Sequence, residues 1–149
     1  MTARAARGGA AASLLPFFAL AILGCAAAAA PAPEGGDFSL DAPFEIAFAE
    51  SAAATLDAQN VLIIFREVAE DSRCPTGVQC ISQGNARVVL AVRVGDEAPR
   101  DVTLNTSRGD ASAAVGAFRV ALLDVAPYPS AKSPTPPQKY LAKLVVTRL

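Results

Sequence analysis

The chain has 149 residues, a formal net charge of −1, and neither histidine nor tryptophan. Without histidine, Ser-His-Asp and Cys-His catalysis and His-ligated zinc are excluded. The nearly balanced charge argues against a nucleic-acid binder, which usually carries a basic patch.

The first 24 residues have the pattern of a secretory signal peptide. Arg4 and Arg7 give a basic start, and the apolar run 10–23 is about as long as a signal-peptide core. This run is too short to span a bilayer comfortably. The alternatives are an uncleaved signal anchor and cleavage within the following alanines. We predict a signal peptide over residues 1–24.

The tetrapeptide ILGC at residues 22–25 resembles the lipobox of bacterial lipoproteins. The resemblance implies that Cys25 carries lipid and becomes the mature N-terminus, and two or more acyl chains give stable anchoring. Residues 25–37, rich in Ala, Pro and Gly, are expected to form a flexible tether. Ala26 after the cysteine favours export to the outer membrane. We therefore expect a lipid-anchored protein of the bacterial cell envelope, on the outer membrane facing the periplasm or the surface if the cell is Gram-negative.

From residue 38 to the end, about seven short strands are predicted. Apolar runs or alternation mark strands at 44–48, 61–65, 86–94, 102–104, 118–122 and 140–149. The alanine-rich segment 50–56 is expected to be an irregular link or the edge of a strand, and 107–116 a polar loop. This pattern predicts one all-β domain over residues 38–149, an antiparallel, immunoglobulin-like β-sandwich, with a small β-barrel as the alternative.

Two cysteines remain once Cys25 is reserved for lipid. Cys74 and Cys80 form an even pair, and an exported protein meets an oxidising compartment in which a disulfide persists. Pro75 and Gly77 favour the tight bend that so short a ring requires. We therefore predict a structural disulfide between these two cysteines.

Metal binding and redox activity are the alternatives for this cysteine pair. Zinc would need two further ligands, and the spacing is not the Cys-X-X-Cys of redox proteins. Glu70, Asp71 and Asp96 could hold calcium, although no Asp-X-Asp-X-Asp loop accompanies them. The sequence predicts no bound metal and no cofactor.

Three short segments around the cysteines resemble a motif in an uncharacterised family of secreted, often lipid-anchored bacterial proteins. They are DSRCP at 71–75, VQCI at 78–81 and GNA at 84–86. A Phe-X-Leu start, strands on both sides of the motif and a closing strand that begins with Tyr extend the resemblance over most of 38–149. The resemblance implies an architecture and a location but no reaction. The family commonly has an aromatic residue, usually Trp, after Cys-Ile, where this chain has Ser82-Gln83, so a binding surface that used this aromatic would be lost here.

Two features of this region are candidate contacts for a partner. Arg73 is one, because arginine is favoured in interfaces. Its alternative is a local ion pair with Asp71 or Glu70, or hydrogen bonds to loop carbonyls. The proline-rich segment 127–137, which we call the proline loop, is the other, because polyproline segments dock to aromatic grooves. Its alternative is a simple connection between strands.

These observations predict a non-catalytic binding or structural module that meets an envelope or secreted protein. Inhibition of a secreted enzyme is an alternative, and a histidine-independent hydrolase is a further one. A hydrolase would need a carboxylate pair or a Ser-Lys arrangement. Ser130, Lys132 and Ser133 lie in the proline loop, where no strand or helix would fix their geometry. We therefore predict no catalytic residues.

Overall fold

The computed structural model of the protein describes residues 36–149. The predicted signal peptide, the lipidation at Cys25 and the tether up to residue 35 lie outside the described residues. The strands in chain order are β1 (Phe44–Ala47), β2 (Ser51–Leu56), β3 (Gln59–Asp71), β4 (Ala86–Val94), β5 (Arg100–Asn105), β6 (Ser112–Val115), β7 (Phe118–Ala126) and β8 (Leu141–Arg148). A single 3₁₀ turn, Pro137–Lys139, precedes β8. Within this part of the chain, no helix is long and apolar enough to cross a membrane.

The strands form two antiparallel four-stranded sheets. One has the order β1-β8-β7-β6 and the other β2-β3-β4-β5. The sheets do not close into a barrel. The predicted β-sandwich is therefore confirmed, and the barrel alternative is wrong. All neighbouring strands are consecutive in sequence except β1 and β8, so the likeness to an immunoglobulin domain lies in the two-sheet architecture rather than in a Greek-key strand order.

Strand β4 shows why the pattern of apolar residues predicts this fold. Val88, Leu90 and Val92 are buried on the face toward the other sheet, whereas Arg87 and Arg93 are exposed. Side chains of successive residues point to opposite faces of a sheet, so one face fills the core and the other meets water. The largest fully buried side chains come from both sheets: Phe65, Phe118, Ile63, Leu90, Leu104 and Leu144. Burying each of these side chains stabilises the folded state by about 1.5–3 kcal/mol relative to leaving it exposed.

Two strands depart from the sequence prediction. Residues 51–56, expected to be an irregular link or the edge of a strand, form a complete six-residue strand, β2, at the edge of its sheet. Residues 112–115 form β6, so the prediction of a polar loop over 107–116 is wrong for these four residues. Their small side chains give little strand signal, and β6 is defined by its pairing with β7, where Ala113 lies opposite Val120.

The connection between β3 and β4 lies at one end of the sandwich, which we call the disulfide end. Strands β3, β5 and β7 end there, and β4, β6 and β8 begin there. The β3–β4 connection, 72–85, carries both cysteines, and we call it the disulfide loop. The proline loop between β7 and β8 lies at the same end, so the two candidate regions of the sequence are neighbours in the fold.

Candidate functional site

The predicted disulfide is confirmed. Cys74 and Cys80 are bonded, with their Cα atoms 5.9 Å apart. The disulfide loop is further held by a backbone hydrogen bond of 2.9 Å from the Cys74 N–H to the Gln83 carbonyl oxygen. The bond therefore closes a small ring at the tip of a loop whose two sides are already paired.

Arg73 and Asp71 form a buried ion pair at the base of this loop. Arg73 Nε donates to Asp71 Oδ1 at 2.8 Å, and Nη2 donates to Oδ2 at 2.7 Å. The two side chains are 2% and 8% exposed. Two parallel charge-assisted hydrogen bonds are the strongest arrangement that these two groups can make. Tyr140 adds a third donor, because its hydroxyl lies 2.9 Å from Asp71 Oδ2.

The same guanidinium connects the two sheets. Arg73 follows β3 of one sheet, and its Nη1 and Nη2 donate to the carbonyl oxygens of Val125 and Pro127, at the end of β7 in the other sheet. The ring of Tyr128 covers the guanidinium, with its centroid 4.6 Å from Arg73 Cζ. Arg73 is 4% exposed overall. In this conformation the side chain makes the local ion pair and carbonyl hydrogen bonds of the alternative interpretation and is not offered to a partner.

The pKa values of this cluster are moved away from neutrality. Burial alone would raise the pKa of Asp71, but the hydrogen bonds from Arg73 and Tyr140 and the charge of Arg73 hold it below its ordinary value. Burial, together with the hydrogen bond to Asp71 and its charge, raises the pKa of Tyr140. A general acid or base works best with a pKa near the working pH. These shifts favour a fixed ion pair over proton transfer.

Asn85 is the centre of a second polar cluster, which sequence reasoning missed. It is buried, and its amide nitrogen donates to Asn105 Oδ1 at 2.8 Å. Its Oδ1 accepts hydrogen bonds from the backbone N–H groups of Ser107 and Arg108 at 3.1 and 3.3 Å. The GNA segment of the motif, at 84–86, was the sequence feature that could have indicated this cluster. Asn85 thus fixes the β5–β6 loop against the disulfide loop.

The carboxylates considered as calcium ligands are not brought together. Asp71 is paired with Arg73, and Glu70 lies 3.6 Å from Arg87. Asp96 follows the opposite end of β4. Within residues 36–149, no group of three or more potential ligand residues is placed to hold a metal ion.

The proline loop is bonded to the disulfide loop. The Thr76 N–H donates to the Pro129 carbonyl oxygen at 3.0 Å. Ser130, a member of the possible Ser-Lys arrangement, accepts a hydrogen bond through its hydroxyl from the backbone N–H of Lys132 at 3.2 Å, in an exposed part of the loop. Ser133 makes a backbone bridge with Ser130. The contacts of these residues shape the loop.

Exposed apolar side chains concentrate at the disulfide end. Ile81 is fully exposed, and Val78, Leu123 and Tyr128 are about half exposed. Leu123 and Tyr128 share a small cavity of about 170 Å³ with Gln83 and Gly84 of the disulfide loop. Among the large apolar residues exposed within 36–149, Leu149 at the opposite end is the one that lies outside this region. A concentration of this kind marks a contact surface more often than scattered single residues do.

A larger open cavity of about 510 Å³ lies between the edge strands β5 and β6. Two carboxylates and two guanidiniums line it, those of Asp101, Asp110, Arg100 and Arg119. None of the residues singled out in the sequence lies there. The cavity is open to solvent, and two carboxylates are among the groups that line it.

Removing the disulfide tests its structural role. Replacing Cys74 and Cys80 with Ser is expected to lower the free energy of unfolding by about 2–3 kcal/mol, because the ring no longer restricts the unfolded chain. Urea unfolding of the double variant, compared with the wild type before and after reduction, measures the loss. Mass spectrometry of the unreduced wild type should find the bonded peptide pair. Free thiols in the exported protein, or metal bound through both sulfurs, would contradict the assignment.

Comparisons of the chain with protein-family models, with curated proteins and with solved structures find no match. The resemblance to the family with the DSRCP motif therefore stays a prediction based on the motif residues. In this structure the motif residues Asp71, Ser72, Arg73, Gly84 and Asn85 all make contacts within the domain. Val78 and Ile81 of the motif are instead exposed, so the motif provides contacts within the domain and also two of the apolar side chains at the disulfide end.

Proposed function

We propose that the protein is a non-catalytic, lipid-anchored module of the bacterial cell envelope that contacts its partner through the disulfide end. One observation carries the contact surface: Ile81 and Val78 of the disulfide loop, Tyr128 of the proline loop and Leu123 near the end of β7 are exposed at one end of the sandwich, where the two loops are bonded to each other. A rigid support lowers the entropy cost of binding.

The best-organised polar cluster supports a structural role rather than catalysis. Arg73 uses its donors on Asp71, Val125 and Pro127, and Asp71 accepts hydrogen bonds from Arg73 and Tyr140. No buried side-chain nitrogen or oxygen within residues 36–149 lacks a hydrogen-bond partner. A catalytic group needs free capacity toward a substrate. The hydrogen bonds of this cluster are made to other groups of the domain.

The anchor makes a direct prediction. The wild-type protein is expected to incorporate palmitate, and Cys25→Ser is expected to lose the label because the acylated thiol is gone. Cys80→Ser is the matched control, since it removes a different cysteine and should keep the label. Metabolic labelling followed by membrane fractionation measures both. Equal labelling of wild type and Cys25→Ser would contradict the anchor.

Two alternatives have their own observations. For a histidine-independent hydrolase, the open cavity lined by Asp101 and Asp110 is the place where a carboxylate pair would act. Hydrolysis of glycoside or ester substrates by the purified protein, abolished in Asp101→Asn with Asp110→Asn, would support it; we expect no activity in either protein. The disulfide-constrained loop with exposed Val78 favours an inhibitor of a secreted enzyme. Crosslinking in intact envelopes followed by pull-down would retain that enzyme.

A further inference from the structure

We propose that the partner of the disulfide end is the membrane surface itself, with Ile81, Val78, Leu123 and Tyr128 entering the interfacial region of the lipid bilayer. This inference rests on the proposed lipid anchor at Cys25. It assigns an orientation to the anchored domain, in which the disulfide loop and the proline loop face the bilayer and the opposite end faces away from it.

The direction of the chain at Gly36 is the first argument. The backbone of Asp37 pairs in parallel with Ala53 of edge strand β2, and the Ala53 N–H donates to the Gly36 carbonyl oxygen at 3.3 Å. Followed backward from Asp37 to Gly36, the chain therefore runs toward Ser51, which is the end of β2 nearer the disulfide end. The described chain thus begins pointing toward the exposed apolar loops.

The length of chain outside the described residues fits this orientation. Ala53 lies opposite Leu62, and nine residues of β3 separate Leu62 from Asp71 at the disulfide end, about 30 Å at the rise of a strand. Eleven residues, from Cys25 to residue 35, precede Gly36. Fully extended, they reach at most about 40 Å. The tether is therefore long enough for Cys25 to reach the level of Asp71, and at full extension about 10 Å remain for the loop tips beyond it.

The chemistry of the loops suits an interface between lipid and water. Ile81 and Val78 are aliphatic, and Tyr128 has the amphipathic ring that is enriched at the headgroup level of membranes. Lys132 and Lys139 lie in and just after the proline loop, and the side chain of Lys139 lines a small cavity with Tyr128. Basic residues near the surface are attracted to anionic lipid. Lys139 is therefore a cation beside the ring of Tyr128, and Asp124 is an acidic residue that lines the cavity with Leu123 and Tyr128.

A single tryptophan reports this contact directly, because the chain has no tryptophan of its own. Ile81→Trp and Leu149→Trp are made in the full, processed protein and reconstituted into vesicles of phosphatidylethanolamine and phosphatidylglycerol. Both positions are exposed, at opposite ends of the sandwich. Flotation first establishes that each variant is anchored. Fluorescence is then read with and without lipids brominated near the top of the acyl chain.

We expect the Ile81→Trp emission to shift to shorter wavelength on reconstitution and to be quenched by brominated lipid, while Leu149→Trp shows neither change. Flotation without quenching at position 81 would support the lipid anchor but contradict contact between the disulfide end and the bilayer. A protein would then be the expected partner of the disulfide end. Equal quenching at both positions would overturn the orientation. Failure of the wild type to float would overturn the anchor and, with it, this inference.

Discussion

Replacing Arg73 with Met is expected to lower the free energy of unfolding by about 3–5 kcal/mol, the range found when one partner of a buried ion pair is removed. The variant leaves the Asp71 carboxylate, 8% exposed, without its counter-charge. It also leaves the carbonyl oxygens of Val125 and Pro127 without the donor that joins the two sheets. Urea unfolding followed by circular dichroism measures the loss.

An exposed ion pair between β3 and β4 serves as the control. Arg87 lies 3.6 Å from Glu70, and the two side chains are about half exposed. Arg87→Met should therefore cost no more than about 1 kcal/mol. Adding Asp71→Leu to Arg73→Met should recover part of the loss, because the buried charge is removed with its partner. Equal effects of Arg73→Met and Arg87→Met would contradict the structural role of Arg73.

The same pair predicts how stability changes with pH. In the folded wild type the pKa of Asp71 lies below its ordinary value of 3.8 because of Arg73 and Tyr140. The ionised pair therefore contributes stability above the pKa of the unfolded chain, and this contribution is lost as the pH falls through the lower folded pKa. In Arg73→Met the guanidinium is absent, so the pKa of Asp71 in the folded variant is higher than in the folded wild type. The stability difference between the two proteins should narrow as the pH falls from the folded pKa of Asp71 in the variant to its lower folded pKa in the wild type.

Replacing Gly84 with Ala is expected to cost about 2–5 kcal/mol, the second large effect. A Cβ atom at this position would lie 1.8 Å from the Ser72 carbonyl oxygen and 2.7 Å from Arg73 Cα. Both are backbone atoms, so the two sides of the disulfide loop must separate, which costs about 1–3 kcal/mol. Gly84 also has a φ of +70°, where an L side chain adds about 1–2 kcal/mol.

Gly95→Ala separates these two contributions. Gly95 has a φ of +60°, but a Cβ atom there would meet nothing within 4 Å. Its substitution should therefore show the conformational cost alone, about 1–2 kcal/mol. Thermal or urea unfolding of both variants gives the comparison. If Gly84→Ala were as stable as Gly95→Ala, the close approach of the two sides of the loop would be refuted.

The sequence predicts the strands whose side chains alternate and misses those that depend on their partners. Strand β4 matches its predicted bounds at Ala86 and Val94 because its buried face is apolar over the full length. Strand β3 runs from Gln59 to Asp71, well beyond the predicted 61–65. Its register shifts after Phe65 and again after Val68, which breaks the alternation on which the prediction depends. Strand β6 was missed because its four small residues become a strand only through pairing with β7.

The candidate site was predictable to the extent that its contacts are local. The Cys74–Cys80 bond and the pairing of Arg73 with Asp71 span a few residues, and both were among the expected possibilities. The acceptors at Val125 and Pro127 lie more than 50 residues away along the chain. The sequence near Arg73 therefore gives no indication of these two acceptors. The exposed apolar surface was missed for the same reason, because only the fold brings the two loops and the end of β7 together.

Photo-crosslinking in living cells tests the central claim most directly, namely that the disulfide end is the contact surface of an anchored domain. A benzophenone amino acid is placed at Ile81 and, as the control, at Leu149, which is also exposed but lies at the opposite end. The account predicts adducts from position 81, to membrane lipid, and none from position 149 after the same irradiation. Adducts from position 149 alone, or equal adducts from both positions, would contradict it.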